Sequence, residues 1–535
     1  MSGANPSPDT GSKPLLGTDH FFSRSRVLWA LGWLWIVLRT GDLLRVTWAF
    51  DTDDAFITMR YARNLVEGHG IVWNIGETPP VEGYSNFLFV LLSALCLKLG
   101  IEPLLVIKVV SAAALLGTCV CLFLLARRWL GELGALLPVV ALTAYPGTIW
   151  WTVSGLETAV FQCFAVAAVT CAVAAMDGGE EHREDVLTWA RAPLVGTGLF
   201  ALLASLTRPE GPLVVVAVVG GFLWRAMKAR NLRALATPAA VLLCTFALPY
   251  AAYFAWRAAH FERLLPNSVL CKAAWDGNPA ALLIGFLRMA GAWMLLSLAI
   301  PRRTLDARHV VIVGLSLLYM IALYGADPII AYLGRHFLAA YALVLVPGCV
   351  GAVALIGRMW PKFGTSRREV VALAIGLVAS TLVTMSYRAR IAREADGYAA
   401  RNQYRDELGR WIEQDVGPKT WVLAGDTGLI AYRTHAPVLD AFCLNSREWT
   451  TPPVDRAQSR FIELAYTRQP DVVLVSGRRM DRLVPTEDYG FWAAFIAHPR
   501  FATDYRLERV VGSTTADFTG GNYTYWVYRR RAIAE

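Results

Sequence analysis

A polytopic α-helical membrane protein with about eleven spans and a C-terminal α/β domain is the fold class that the sequence predicts. Hydrophobic residues make up 55% of the 535 residues and charged residues only 17%, against about 25% charged in a soluble domain. Mean hydropathy is +0.42. The apolar residues gather in runs, most of them long enough to approach or cross a hydrocarbon core of about 30 Å. A soluble globule could not bury this much apolar surface. A chain with 19 Trp, 19 Tyr and 23 Phe is equally excluded from the disordered class.

The elements follow in order. Residues 1–26 are polar and read as a cytoplasmic tail, and no cleavage site follows the first apolar run, which predicts a retained span. The transmembrane part covers 27–387, with spans at 27–49, 103–126, 133–151, 158–176, 190–206, 211–226, 234–256, 279–300, 308–324, 337–357 and 369–387. The run 87–99 is too short to cross, at roughly 20 Å of helix, and reads as an interfacial helix. With that run lying flat, 18 Lys and Arg of the tail and short loops fall on one side and 5 on the other. This places the N-terminus in the cytoplasm, and the loop 50–103 and the C-terminal part 388–535 outside a cytoplasmic (inner) membrane. Orientation also accounts for the net charge of +9, so nucleic acid is not an expected partner.

From 388 the periodicity becomes that of a soluble α/β domain. It predicts an amphipathic helix at 392–415, strands at 421–424, 472–475, 501–511 and 523–528, and a helix near 456–468. The turn Gly425-Asp426-Thr427-Gly428 after the first strand is not a dinucleotide fingerprint. Seven of the nine cysteines lie in apolar runs. Cys271 and Cys443 lie in polar segments, and a disulfide between them is left open.

The densest polar cluster begins directly after the first span, with Asp53, Asp54, Arg60, Arg63 and Asn64. Adjacent carboxylates repel one another, so one could act as a general base while the other orients a substrate. The pair could also bind a divalent cation, or simply cap a helix. Further along the loop, Glu82 and Asn86 could hold sugar hydroxyls and Tyr84 could stack on a sugar ring, or Tyr84 could anchor an interface. Glu157, Arg208 with Glu210, Asn267 with Lys272, and Arg335 with His336 all fall on the outer side. The cations could bind a lipid phosphate, or the whole set could be an ion-paired packing network. No zinc-protease, nucleophile-elbow or P-loop motif is present.

The run Asp53-Asp54-Ala-Phe-Ile-Thr-Met-Arg60-Tyr-Ala-Arg63-Asn64, followed by Val81-Glu82-Gly83-Tyr84-Ser85-Asn86, resembles the GT-C superfamily of membrane glycosyltransferases that use polyprenyl-phosphate sugars. The mycobacterial terminal arabinofuranosyltransferase family and its bacterial relatives have the most similar pattern. Ser154-Gly-Leu-Glu157, Thr207-Arg208-Pro209-Glu210-Gly211, Pro266-Asn267 with Lys272, and Gly425-Asp426-Thr427-Gly428 extend the resemblance along most of the chain. It implies an interfacial helix in the first loop, an acidic catalytic residue at Asp53 or Asp54, and an extracytoplasmic C-terminal domain over the site. The expected activity is transfer of a sugar, D-arabinofuranose by the resemblance, from a polyprenyl-phosphate donor to an arabinan-like envelope polysaccharide, with Asp53 the first choice of the carboxylate that deprotonates or orients the acceptor hydroxyl. The alternatives are a lipid-linked sugar flippase or transporter, transfer of another sugar to a protein or lipid acceptor, and an envelope binding protein. No cofactor beyond the divalent cation is implied.

Overall fold

The computed structural model describes residues 18–177, 188–274, 278–301, 306–324, 326, 328–451, 458–486, 490–512 and 523–531. Each of the eleven predicted spans is helical. Among the described residues, seven helices are long and apolar enough to cross a membrane, or eight if one bent pair is a single span. The chain is therefore a multi-pass membrane protein. Most of the predicted tail 1–26 lies outside the described residues, and the first helix begins at Thr18.

The bent pair is Gly134–Ala144 and Pro146–Val153, at 65°. Its break follows from sequence. Tyr145 precedes proline and is held extended (φ −79°, ψ 123°), because the proline ring disfavours helical geometry there. Pro146 then opens the next helix, where a missing N–H costs nothing. The run predicted to lie flat forms the helix Phe87–Lys98.

One predicted boundary does not exist. The last span and the amphipathic helix 392–415 are one continuous helix, Thr365–Trp411, of 47 residues. It is about 70 Å long, twice what a bilayer core requires. Residues 388–391 are Arg-Ala-Arg-Ile and contain no helix breaker, so the change from apolar to amphipathic patterning is a change of solvent and not of backbone. The C-terminal end of this helix carries Asn402 and Arg405 into the C-terminal domain.

That domain is built on a five-stranded sheet of β1 (Val422–Ala424), β2 (Val438–Asp440), β3 (Val472–Gly477), β4 (Tyr505–Gly512) and β5 (Thr524–Arg530). The order is β2-β1-β3-β5-β4. β1 pairs in parallel with β2 and β3, and β5 pairs antiparallel with β3 and β4. β1 and β3 are buried throughout, as parallel strands covered on both faces should be. β2 has only two strongly apolar residues and escapes a sequence reading. Residues 501–504 belong to the helix Arg500–Asp504, so the predicted strand starts at Tyr505 instead. The predicted helix near 456–468 is Ser459–Arg468, and residues 456 and 457 lie outside the described set.

The first loop and the C-terminal domain are clamped together. Arg60, buried at 2% exposure, donates to the carbonyls of Trp73, Ala431, Thr434 and Ala436 and to the Asn74 side chain. Arg63 donates to the carbonyls of Tyr432 and Thr434. Both cations thus sit at the C-terminal end of the helix Leu429–Arg433, where carbonyl dipoles favour positive charge. At its other end, a Cβ on Gly428 would lie 1.8 Å from the Asp53 carbonyl oxygen, so only glycine permits the approach. The Asn267 side chain donates to the carbonyls of Cys443 and Leu444 at 2.8 and 3.0 Å.

Cys271 and Cys443 form a disulfide across 172 residues, which resolves the alternative left open by sequence. Replacing both by Ser should lower stability by about 2–4 kcal/mol, because the bond constrains a long loop in the unfolded chain. Thermal melts of the purified variant would check this, and an unchanged melting temperature would count against the clamp.

Candidate active site

The backbone brings together residues from four separate segments. Ser154-Gly-Leu-Glu157 turns tightly between two helices, with Gly155 at φ +80°, a conformation that side chains resist. The turn delivers Glu157 into the protein at 1% exposure. Glu157 accepts from the Asn86 side chain at 3.0 Å, and Asn86 in turn accepts from Thr58 at 2.9 Å. Arg208 follows the helix Arg191–Thr207 and donates to Glu157 at 2.6 Å. It also forms a two-pronged pair with Glu210, at 3.2 and 3.0 Å. His336 lies 2.9 Å from Glu210 and 2.6 Å from an Arg208 nitrogen.

Burial alone would raise Glu157, but Arg208 and Arg335 hold it below the usual carboxylate range. Glu210 lies well below that range, with Arg208 and His336 overcoming burial. Arg208 is therefore paired with two ionised carboxylates and commits four of its five N–H donors to Glu157, Glu210 and His336.

Arg335 and Lys272 differ from it. Arg335 lies 3.7 Å from Asp54 and 3.6 Å from Glu157, and its guanidinium covers the Trp151 ring. Its Nε is buried without a hydrogen-bond partner among the described residues. Lys272 is half-buried on the helix Asn267–Ala274. Burial, and then the neighbouring Arg335, push its ammonium down to about 8. Asp54 is the accessible carboxylate of the cluster, with its side chain 46% exposed. Asp54, Arg335 and Lys272 thus carry one net positive charge beside a buried network of Arg208, Glu157 and Glu210 that carries one net negative charge, with Asp54 the accessible member.

Asp53 is not part of that cluster. Its carboxylate accepts from the amides of Gly428 and Leu429 at 2.8 and 2.9 Å, capping the helix Leu429–Arg433 from across the chain. Arg405 lies 3.6 Å from Asp53 and 3.2 Å from Asp426, and donates to the Tyr525 hydroxyl at 2.8 Å. Tyr523 and Tyr525 both donate to Asp426. Burial pushes Asp53 up to about 6, against Arg405 and the two amides. Burial acts on Asp426 too, but Arg405 and the tyrosines hold it low.

Asp54, Asn86, Glu157, Arg208, Glu210, Lys272, Arg335 and His336 are brought together; the other sequence candidates are not. Arg60 and Asn267 spend their donors on the clamp described above. Glu82 forms a buried pair with Arg257, at 2.9 and 2.7 Å. Tyr84 is 3% exposed, packed edge-on between Tyr61 and Phe261, so no sugar can reach its ring. The cation site is not supported either. Both Asp53 oxygens are engaged, Asp54 faces an arginine, and among the described residues no group of three His, Cys, Asp or Glu could hold a metal. Hard cations take six or more oxygens. Arg257, Arg405, Asp426 and Tyr525 are the residues sequence reasoning missed as contributors. Only Asp426, in its Gly-bracketed turn, carries a local signal.

An apolar groove of 560 Å³ reaches Phe337. Leu283, Leu317, Met320, Ile321, Tyr324 and Phe337 line it, and Phe337 directly follows Arg335-His336.

A family described as a domain of unknown function, DUF8728, matches residues 391–528. No curated protein matches the chain. Solved structures do. ArnT from Cupriavidus metallidurans bound to undecaprenyl phosphate is 14% identical, with 93% of this chain and 98% of that chain covered and a TM-score of 0.51. The Archaeoglobus fulgidus oligosaccharyltransferase tethered to an acceptor peptide with an NVT sequon is 12% identical, over 92% and 74% of the two chains, at 0.54. The same organism's oligosaccharyltransferase AglB, with an inhibitory peptide and a dolichol-phosphate, is 12% identical over 89% and 79%, again at 0.54. The architecture of helices, first loop and C-terminal domain is thus similar to that of known GT-C glycosyltransferases, and the chain has the GT-C fold.

Proposed function

We propose that the protein is a polyprenyl-phosphate-sugar-dependent glycosyltransferase acting on the extracytoplasmic face, with eleven crossings and both the first loop and the C-terminal domain outside. The observation that carries this reading is the cation pair Arg335 and Lys272 with the accessible Asp54, together with an apolar groove that reaches Phe337, two residues along the chain from Arg335. A lipid phosphate has charge and tail to match both. Two of the similar structures hold undecaprenyl phosphate and a dolichol-phosphate, and the Cys271–Cys443 bond suits an oxidising compartment. Arabinofuranose is the sugar, and an arabinan-like glycan the acceptor, that the sequence resemblance points to.

In this reading the phosphate sits against Lys272 and Arg335. The bond from the anomeric carbon to the phosphate oxygen breaks, and its electron pair leaves with the phosphate, whose growing charge the two cations stabilise. The acceptor oxygen bonds to the anomeric carbon, and its proton passes to Asp54. Arg208, Glu210 and His336 hold Glu157, which in turn fixes Arg335. Asp53 serves to dock the C-terminal domain.

The test is transfer of radiolabelled sugar by the purified protein from synthetic polyprenyl-phosphoryl arabinofuranose, ribose and mannose, with nucleotide sugars as control. Product from a lipid donor alone is expected. No product from any lipid donor that binds would overturn the reading, as would gradient-driven transport of the lipid-linked sugar without transfer.

A pH dependence follows from Lys272. Below about 8 its ammonium is charged and binds the donor phosphate; above that it is neutral in the free enzyme. The kcat/KM for donor should therefore fall as pH rises through about 8, and Lys272→Arg should move that limb upward, since arginine stays charged. An unchanged limb would remove Lys272 from the phosphate site.

A further inference from the structure

A second cavity, of 590 Å³, opens at the seam between the first loop and the C-terminal domain. Its walls come from the loop segment 74–79, Trp421 just before β1, β2, the turn 445–448 and Arg468 at the end of the helix Ser459–Arg468. The transfer chemistry described above uses none of these residues.

The lining is polar and charge-balanced. Glu77 and Glu448 supply two carboxylates, and Arg447 and Arg468 two guanidiniums. The Arg468 guanidinium lies 4.8 Å over the Trp421 ring. Glu448 and Arg468 are exposed, while Trp421, Glu77 and Arg447 are half-buried. Asn74 is committed to the seam, holding Arg60 and the Val438 backbone, so the wall is rigid. Glu77 is pushed up to about 7 by burial, with Glu448 adding to the shift and Arg468 opposing it. At neutral pH it can both donate and accept.

We propose that this cavity is a binding subsite for a neutral oligosaccharide, holding the part of an acceptor chain remote from the reacting end. The proposal rests on the glycosyltransferase reading above. A lining with no formal net charge gives little electrostatic pull on an ionic ligand. Acceptors and donors interleaved in one cleft suit neighbouring hydroxyls, each of which can do both, and the indole offers an apolar surface with a polar edge. The volume falls in the range of small-ligand pockets, about 300–1,000 Å³. The location matters as well. The helix Asp54–Val66 carries Asp54 at one end and, two turns along, Arg60, which grips Asn74 on the cavity wall. Cavity and Asp54 are thus on the order of 10–20 Å apart, a distance that an oligosaccharide bridges and a single sugar does not.

Saturation-transfer NMR on the full-length protein in detergent, with soluble linear hexasaccharides and disaccharides of arabinofuranose and of mannose, tests this. The hexasaccharide of at least one sugar is expected to bind roughly tenfold tighter than its disaccharide, a difference of about 1.4 kcal/mol. Arg468→Ala, at an exposed position, and Trp421→Ala should each abolish that advantage. In transfer assays the same variants should raise KM for the hexasaccharide and leave kcat and the disaccharide KM unchanged. Equal binding of both lengths by the wild type, or folded variants that keep the advantage, would overturn the proposal. Transfer to disaccharides without any length advantage sinks the subsite and spares the enzyme. Length-dependent binding lost in the variants, in a protein that transfers nothing, does the reverse.

Discussion

Asp54→Asn is expected to lower transfer by roughly 10²–10⁴-fold, the usual contribution of a positioned general base, with no loss of melting temperature. Asp54 is half exposed, and among the described residues its close ionic partner is Arg335, at 3.7 Å. Asp53→Ala should behave in the opposite way. Removing the carboxylate strips the cap from Gly428 and Leu429, at a cost of about 1–2 kcal/mol, and leaves Arg405 facing Asp426 alone. Stability falls, and kcat per folded molecule changes far less than in Asp54→Asn. Paired rate and melting measurements decide between them. A fast Asp54→Asn enzyme beside a dead but stable Asp53→Ala enzyme would return the base to Asp53.

Arg208→Leu should give the largest loss of stability of any single replacement at the site. Arg208 is 4% exposed and bonds to Glu157, Glu210 and His336. Its removal leaves two buried carboxylates facing each other, a defect of about 3–5 kcal/mol in comparable pairs. Adding Glu157→Gln and Glu210→Gln should recover much of that loss, because the penalty comes from uncompensated charge and not from lost packing. Melting of the single and triple variants in the same detergent checks this. Equal destabilisation in both would mean that Arg208 matters for its shape.

The architecture was largely legible because bilayers and strands impose simple periodicities. All eleven predicted spans are helical, and four of the five strands lie where the sequence places them, one of them starting late. The failures are specific. The helix Thr365–Trp411 crosses from lipid to water without a backbone signal, so its apolar and amphipathic halves read as separate elements. β2 is three residues long. At the site, the polar residues between the spans were identifiable, but their partners were not. Arg60 and Asn267 look like ligand-binding residues in sequence, and only the tertiary structure shows their donors spent on carbonyls of the C-terminal domain, from 431 to 446. Asp53 and Asp54 are adjacent in sequence and opposite in role, because one faces Gly428 and the other Arg335. Arg257 and Arg405 sit on helices whose patterning explains them as ordinary surface arginines, and their partners Glu82 and Asp53 in the first loop are 175 or more residues away.

The most direct single measurement is a structure of the protein with undecaprenyl phosphate bound. The expected result places the phosphate within hydrogen-bond distance of Lys272 and Arg335, facing Asp54, with the isoprenoid chain along Leu283, Leu317 and Phe337. A phosphate bound away from both cations, with the groove empty, would contradict the proposed site.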